Sequence, residues 1–382
     1  MRPYHAGLLG TDTLVVLDES HLVPPFERLL QQIAENGDLG PKDEADRAII
    51  LPFRLLPLSA TGRDRDGDVF RLTEEDQEDL VVKARLDAKK RLTFEPAFDK
   101  KLEERLAEEA WALSAEGKAP VRILTYCNSR DVAEKTRDAL EKLAKPVKIA
   151  PENLQLFVGA RRVKEREDAK NRLQDLGFFS GNDAPDKPAF VIATSAGEVG
   201  VDLDADHMVM DLVPFERMVQ RLGRVNRLGG EDREARVVVF DPDKSLPDDL
   251  RIRAERCQEL LQELRRHEDG SHDASPGALS DLKRNPKESV DAASSPEPLY
   301  PALTHPLVDA WSMTSLYEHT GRPQVQPWLR GWVDDEPQTT LVWRTYLPVR
   351  TEGGEATERE VNDFFAAAPP HLSEQLETES YR

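Results

Sequence analysis

Four stretches of this sequence carry side chains whose types and spacing suit chemistry on a charged ligand. In LVVLDESHLVPPF an apolar run meets Asp18, Glu19 and His21 before a Pro-Pro stop. An acid at the carboxyl end of a parallel strand faces the crevice where α/β sheets take ligands. One carboxylate there can hold Mg2+ through water, and the other can orient or deprotonate an attacking water. The pair alone also fits an ordinary strand-to-loop turn. In LPLSATGR, Ser59 and Thr61 follow a strand, where their hydroxyls can bond a neighbouring acid such as Asp18 or Glu19, or make a plain polar turn. In FVIATSAGEVGVDLDAD a strand runs into Thr194-Ser195-Ala196-Gly197, with Gly200 and Asp202 beyond. Hydroxyls and glycine amides at a strand end make phosphate-binding positions, and they also make helix caps. In QRLGRVNRLGG, Arg221, Arg224 and Arg227 recur every three residues. On a helix they would share one broad face, either solvated or aimed at phosphate, whose oxygens match the guanidinium fork.

Such groups need elements to hold them. Short apolar runs at 14–17 and 55–58 read as buried-type strands, and 73–116 reads as a charged, helix-rich stretch with apolar positions at helical spacing. Gly117-Lys118-Ala119-Pro120 reads as a linker. From residue 121 the pattern changes to strands alternating with helices. VRILTYC, LQLFVG, AFVIATS, HMVMDLV and ARVVVFD are the strands, and SRDVAEKTRDALEKL is an amphipathic helix with Ser129 as N-cap. That alternation predicts an α/β fold with a parallel sheet covered by helices on both faces, ending near Asp241. A helix is expected over 250–267, disorder over the Gly-, Ser-, Asp- and Pro-rich 268–298, a small aromatic domain from Leu299, and a mobile acidic tail from Thr351.

Composition sets limits. A chain of 382 residues suits two or three domains. A formal net charge of −20 argues against a basic nucleic-acid coat but leaves room for a strand gripped in a local groove. No stretch reaches the roughly 18 apolar residues of a membrane span, and no signal peptide is visible. The two cysteines, Cys127 and Cys257, form no disulfide framework or metal spacing, which suits a reducing cytoplasm.

The order and spacing of the four stretches, across 14–241, resemble the motif series of superfamily 2 helicases: a DExH box, an SAT motif, a Thr/Gly-rich fifth motif and a QRxGRxxR sixth motif. Within that superfamily the chain is similar to the CRISPR-associated helicase–nuclease, the effector of type I CRISPR interference. The cues are LVVLDESHLVPPFERLL, LPLSATGR, ILTYCNSRDVAEKTRDAL, IATSAGEVGVDLDAD and MVQRLGRVNRLGG. DESHLVPPF and the aromatic HPLVDAWSMTSLYEHTGRPQVQPWLRGW resemble the branch once called subtype I-U, now I-G.

The resemblance implies RecA-like parallel sheets: a partial first lobe over 1–118, a complete second lobe over 119–245, a helix and flexible linker over 246–298, and a C-terminal accessory domain and tail over 299–382. It implies ATP and Mg2+ as cofactors, and single-stranded DNA and the Cascade effector complex as partners. It assigns Asp18 to Mg2+ and Glu19 to the attacking water, with His21 as a relay. Ser59 and Thr61 would couple hydrolysis to movement. Asn128, Ser129, Arg130 and Thr194 would line the strand path, and Gly200 and Asp202 would approach the nucleotide together with Arg221. Gln220, Arg224 and Arg227 would reach the γ-phosphate across the lobe interface. The phosphate-cradling G-x-x-x-x-G-K-[ST] is nowhere in the sequence, so a truncated chain is expected, with half of the first lobe missing. A metal-nuclease site is not expected, since the only adjacent His-Asp pair, His272-Asp273, falls in the linker. Another superfamily 2 translocase and a non-catalytic strand-binding or docking module remain as alternatives.

Overall fold

A computed structural model describes residues 7–35, 41, 43–59, 70–96, 100–159, 163–179, 181, 185–198, 201–284, 287–313, 322–332, 338–344 and 354–379. They divide into two units: Met1–Val69 with Pro296–Asp335, and Phe70–Ser295 with Glu336–Arg382.

In the first unit, β1 (Leu14–Leu17) and β2 (Arg54–Pro57) pair in parallel, with Leu14 opposite Arg54 and Leu17 opposite Pro57. A helix over Pro24–Glu35 follows the first strand. Its Arg28 donates to the Tyr300 hydroxyl at 3.0 Å, and Gly331 packs against Pro25 and Pro298, so residues after 296 join this unit. Trp328 is buried and meets Trp311 edge to face at 4.9 Å, a small apolar centre. Parallel strands are normally covered on both faces, yet Leu14 (57%), Val16 (52%) and Leu56 (46%) are substantially exposed.

The second unit is built on a seven-stranded sheet in the order β5-β6-β4-β7-β8-β3-β9. The strands are β3 (Lys89–Glu95), β4 (Arg122–Tyr126), β5 (Leu154–Phe157), β6 (Ala189–Ala193), β7 (His207–Asp211), β8 (Glu234–Phe240) and β9 (His272–Asp273). All pairings are parallel except that of β9 with β3. Successive side chains of a strand alternate between faces. Ile123, Ile192, Val209 and Phe240 therefore pack with the helices over Leu102–Leu113 and Arg130–Ala144. Leu124, Tyr126, Val191, Met210 and Val239 face the other way, onto the helices over Phe215–Leu222 and Asp248–Gln262. Chain direction explains this division. The steps from β3 to β4 and from β4 to β5 run one way along the sheet; the returns through β6, β7 and β8 run the other. Right-handed crossovers then put the two sets of helices on opposite faces.

The α/β fold with a parallel sheet is as expected, but several boundaries move. β3 falls inside 73–116, read as helix-rich, and lies between β8 and β9, so the second unit starts at Phe70 and not at 119. Gly117-Lys118-Ala119-Pro120 is not a linker. Gly117, at φ 81°, fits under the Trp111 ring, and its amide bonds the Ser114 hydroxyl at 2.9 Å. The stretch 268–298 is not disordered where described. It carries β9 and helices over Pro276–Leu282 and Lys287–Ala293, anchored by buried Ala274, Leu279, Leu282 and Ala293. Four small or aliphatic anchors suffice for that and barely alter the polar composition. The region 299–382 is not one domain, since it divides between the two units at Asp335. Its acidic end holds a helix over Glu358–Ala367, started by a Thr357/Glu360 capping box, and an antiparallel pair of β10 (Gln338–Val342) and β11 (Gln375–Glu379) on either side of it in sequence.

Candidate functional site

In the first unit, parallel pairing carries two motifs together. The Leu58 amide donates to the Leu17 carbonyl and the Ser20 amide to the Leu58 carbonyl, at 2.9 and 3.0 Å. That register sets Ser59 beside His21, whose Nδ1 lies 2.8 Å from the Ser59 hydroxyl and 3.5 Å from Glu19 Oε2. Glu19 sits in the left-handed region at φ 49°, ψ 42°, which costs a non-glycine residue roughly 1 kcal/mol or more and is typical of ligand-facing turns. Asp18 is exposed and accepts the Glu19 amide through Oδ1. Asp18, Glu19, His21 and Ser59 are thus brought together, while Thr61 lies outside the described residues.

In the second unit the loops leaving β4, β6 and β7 meet at the carboxyl edge of the sheet. The connection after β4 departs to one face and those after β6 and β7 to the other, which makes the crevice where doubly wound sheets bind ligands. Thr194, buried at 8% exposure, follows β6 and starts the turn Ser195–Gly197. Asn128 and Ser129 follow β4. The Asn128 amide donates to Asp211 at 2.7 Å, and its side-chain oxygen accepts from Arg217 at 3.0 Å. The Ser129 hydroxyl caps the helix over Arg130–Ala144 and donates its one proton to Asp243 at 2.9 Å. A phosphate offers only acceptors, so this hydroxyl reaches one only by releasing Asp243. Arg130 is exposed and pairs with Glu134 one helical turn on.

The arginines do not share a face. The helix over Phe215–Leu222 ends with Gly223 as C-cap, so Arg221 points from the helix while Arg224 and Arg227 stand on the following turn. Arg221 is fully buried. Its Nε bonds Glu198 at 2.8 Å, its Nη1 bonds the Asp211 carboxylate and carbonyl at 2.8 Å each, and its guanidinium lies 5.0 Å from the Tyr126 ring centre. Contrary to the sequence reading, Arg221 is a core ion-pair residue with no surface for a nucleotide. Arg224 donates to the Glu198 carbonyl at 2.7 Å and lies 4.0 Å from Asp202; Arg227, 40% exposed, pairs with the same Asp202. Gln220 is half-buried on the helix, and Gly200 lies outside the described residues.

Sequence reasoning missed the groups that hold this turn. Glu198 joins the fifth-motif stretch to the helix through Arg217, at 2.9 Å, and Arg221. Burial alone would raise its carboxyl, but the two guanidiniums outweigh burial and hold it below the usual range. Burial prevails at Asp211, which hydrogen-bonds Arg221 and feels Arg217 only through its charge, and its carboxyl is raised. A four-residue spacing between Arg217 and Arg221 was the legible sign, since residues one turn apart on a helix can grip one carboxylate.

A doubly wound sheet with arginines and hydroxyls gathered on strand-end loops at its switch point has the architecture of a RecA-like lobe. Residues 120–229 match the family model described as CRISPR-associated nuclease/helicase Cas3, C-terminal. A putative CRISPR-associated nuclease/helicase Cas3 of Myxococcus xanthus (strain DK1622) is 43% identical over 54 residues, 14% of this chain and 7% of that protein. The crystal structure of T. fusca Cas3 superposes with a TM-score of 0.56 at 15% identity, covering 96% of this chain and 47% of that one. A CRISPR RNA-guided surveillance complex, pre-nicking, contains a chain that matches with a TM-score of 0.51 at 15% identity, covering 95% and 49%. Residues 120–229 are therefore similar to the C-terminal helicase part of Cas3, the fold matches that of Cas3 structures, and the chain spans less than half the length of these solved relatives.

The donor sets suit the cofactors that the family implies. Asp18 and Glu19 offer the hard oxygens that Mg2+ takes, and Arg224 and Arg227 offer forks that match phosphate. Among the described residues no group of three or more His, Cys, Asp or Glu side chains could hold a metal. His272 and Asp273 stand in β9, where His272 packs on Phe94 and Asp273 accepts the Ser275 amide. No described helix is long and apolar enough to cross a membrane.

Proposed function

We propose that this chain is part of an ATP-dependent motor that moves along single-stranded DNA in type I CRISPR interference, in the cytoplasm. The observation that carries the reading is the turn after Gly223. It withdraws Arg221 into the core and leaves Arg224 and Arg227 beside Asp202 at the sheet's carboxyl edge. Arg224 and Arg227 stabilise charge on the phosphates, Asp202 and Gly200 approach the nucleotide, and Gln220 supports them. Asp18 holds Mg2+, Glu19 aligns water, and His21, Ser59 and Thr61 relay the change. Bound ATP supplies the γ-phosphate transfer that drives movement. Arg130 and the loop backbones after β4 and β6, with Thr194, grip the strand through its phosphates, which makes the grip independent of sequence. Ser129 and Asn128 shape that loop through Asp243 and Arg217. Cascade is the proposed partner, supported by the likeness to a chain in a surveillance complex. The sequence holds no G-x-x-x-x-G-K-[ST], so a phosphate cradle of that kind is not among these 382 residues.

Anisotropy of a labelled oligo(dT) with residues 1–382 tests the strand grip. Binding should weaken steeply between 50 and 200 mM salt, as phosphate contacts do. Arg130→Ala should lower the salt slope by about 1. No binding at low salt would remove the reading. The same chain should show no appreciable ATP turnover, and turnover abolished by Glu19→Gln would show that no further cradle is needed.

A further inference from the structure

The arginine turn is clamped from an element outside every recognised motif. Lys90, on β3, is 2% exposed, and its Nζ donates to the Leu222 carbonyl at 2.7 Å. Leu222 is the last residue of the arginine-bearing helix, where carbonyls lack helical partners and a cation is favoured. The far end of the turn is tied to the same neighbourhood. The Arg227 amide donates to Asp204 Oδ1 at 2.9 Å, and Asp204, 1% exposed, takes Arg233 on its other oxygen at 2.7 Å. Between these points the Ala205 amide bonds the Arg224 carbonyl, and the Asn226 amide bonds the Ala205 carbonyl, at 2.9 Å each. Asn226, at φ 42°, donates from Nδ2 to the Lys89 carbonyl at 3.0 Å. The turn is thus entered at Leu222, between Arg221, held by Glu198 and Asp211, and a carbonyl held by Lys90.

We propose that Lys90 is a positioning residue for the arginine turn, setting where the Arg224 and Arg227 guanidiniums stand by holding the Leu222 carbonyl. Its consequence for nucleotide rests on the reading of those arginines given above. A methionine or leucine would fill the same space between β8 and β9 without burying a charge, so packing gives no reason for lysine here. Burial pushes the Lys90 ammonium down to about 7, with Asp204 favouring the charge and Arg227 and Arg233 opposing it. On β3 itself, Arg91 is paired with Glu234, and Lys89 bonds the Glu231 carbonyl. His207, on β7, is held below its ordinary range by burial. It therefore titrates at lower pH than Lys90.

The test uses the full chain with 15N-labelled arginine, following side-chain Nε–H signals from pH 5.5 to 8.5. Those of Arg224 and Arg227 should move with a midpoint near 7, while that of Arg344 stays fixed. In Lys90→Met, which keeps volume and removes the donor, both signals should be displaced and the titration lost. A folded Lys90→Met with Arg224 and Arg227 signals unchanged overturns the proposal. Should Lys90→Met fail to fold, an unaltered chain whose signals do not titrate overturns it equally. A second arm measures Mg2+ and a fluorescent ATP analogue binding to the same chains, with about tenfold weaker binding expected in Lys90→Met, the scale of one charge-assisted hydrogen bond. Signals that move while Lys90→Met and Arg224→Ala both leave affinity untouched would remove the nucleotide reading and leave the positioning role standing.

Discussion

Replacing Arg221 by methionine keeps much of its length and removes its charge from a site with no exposure. The cost falls unevenly on its two carboxylates. Glu198 keeps Arg217, which grips both its oxygens at 2.9 and 3.1 Å. Asp211 keeps only the Asn128 amide at 2.7 Å. One buried carboxylate is thus left nearly uncompensated, and breaking a buried pair on one side costs about 3–5 kcal/mol. For a unit of this size that lowers Tm by roughly 10 °C. The penalty depends on pH with a defined sign. Asp211 already has a raised carboxyl, and losing Arg221 raises it further, so the folded state binds the proton more tightly than the unfolded. The destabilisation should therefore grow from pH 5 to pH 8. Urea unfolding followed by circular dichroism at several pH values measures it. Arg221→Met with Asp211→Asn should regain about half of the loss. A single-variant penalty below about 1 kcal/mol at pH 7, or a penalty that shrinks as pH rises, would refute the reasoning.

Arg224→Ala, by contrast, should change urea stability by under about 1 kcal/mol, since the residue bonds only one carbonyl strongly. In a helicase containing this chain and its phosphate cradle, the same variant should lower kcat far more than it changes KM. Gly229→Ala should cost about 3 kcal/mol or more, because a Cβ there would stand 1.9 Å from the Ala84 carbonyl oxygen at φ +71°. Limited proteolysis should then cut first in the Leu80–Leu86 helix. Lys90 is charged when unfolded up to about pH 10.5 but neutral when folded above about 7. The unaltered chain should thus gain stability over Lys90→Met as pH rises from 7 to 10.5, by about 5 kcal/mol at most. Thermal melts across that range decide it, and parallel curves would show the amine to be solvated. Ser129→Ala should cost about 1–2 kcal/mol by removing the cap and one Asp243 partner.

The strands of the parallel sheet were legible because fully buried strands read as unbroken apolar runs. VRILTYC, AFVIATS and HMVMDLV all became β4, β6 and β7 within two residues. β3 was not legible. KKRLTFE opens with three cations, and only pairing with β8 on one side and β9 on the other makes a strand of it. The anchors in 268–298 escaped for a similar reason, since a few small apolar residues can dock a segment whose average composition is polar.

The sequence by itself determined the α/β sheet, the order of the motifs and the residue types at its strand ends, because apolar periodicity and strand-end chemistry are local. Pairing of two parallel strands then set Ser59 beside His21, where the sequence reading had offered the acids Asp18 and Glu19. Tertiary structure alone decided which arginine is which. Three arginines at equal spacing look equivalent on paper, yet Gly223 ends the helix between the first and second. Arg221 then turns inward to Glu198 and Asp211, and Arg224 and Arg227 are left at the edge. Burial and partner charge are set by residues 10 to 132 positions away, at Asp211, Glu198 and Lys90, and no local spacing encodes them.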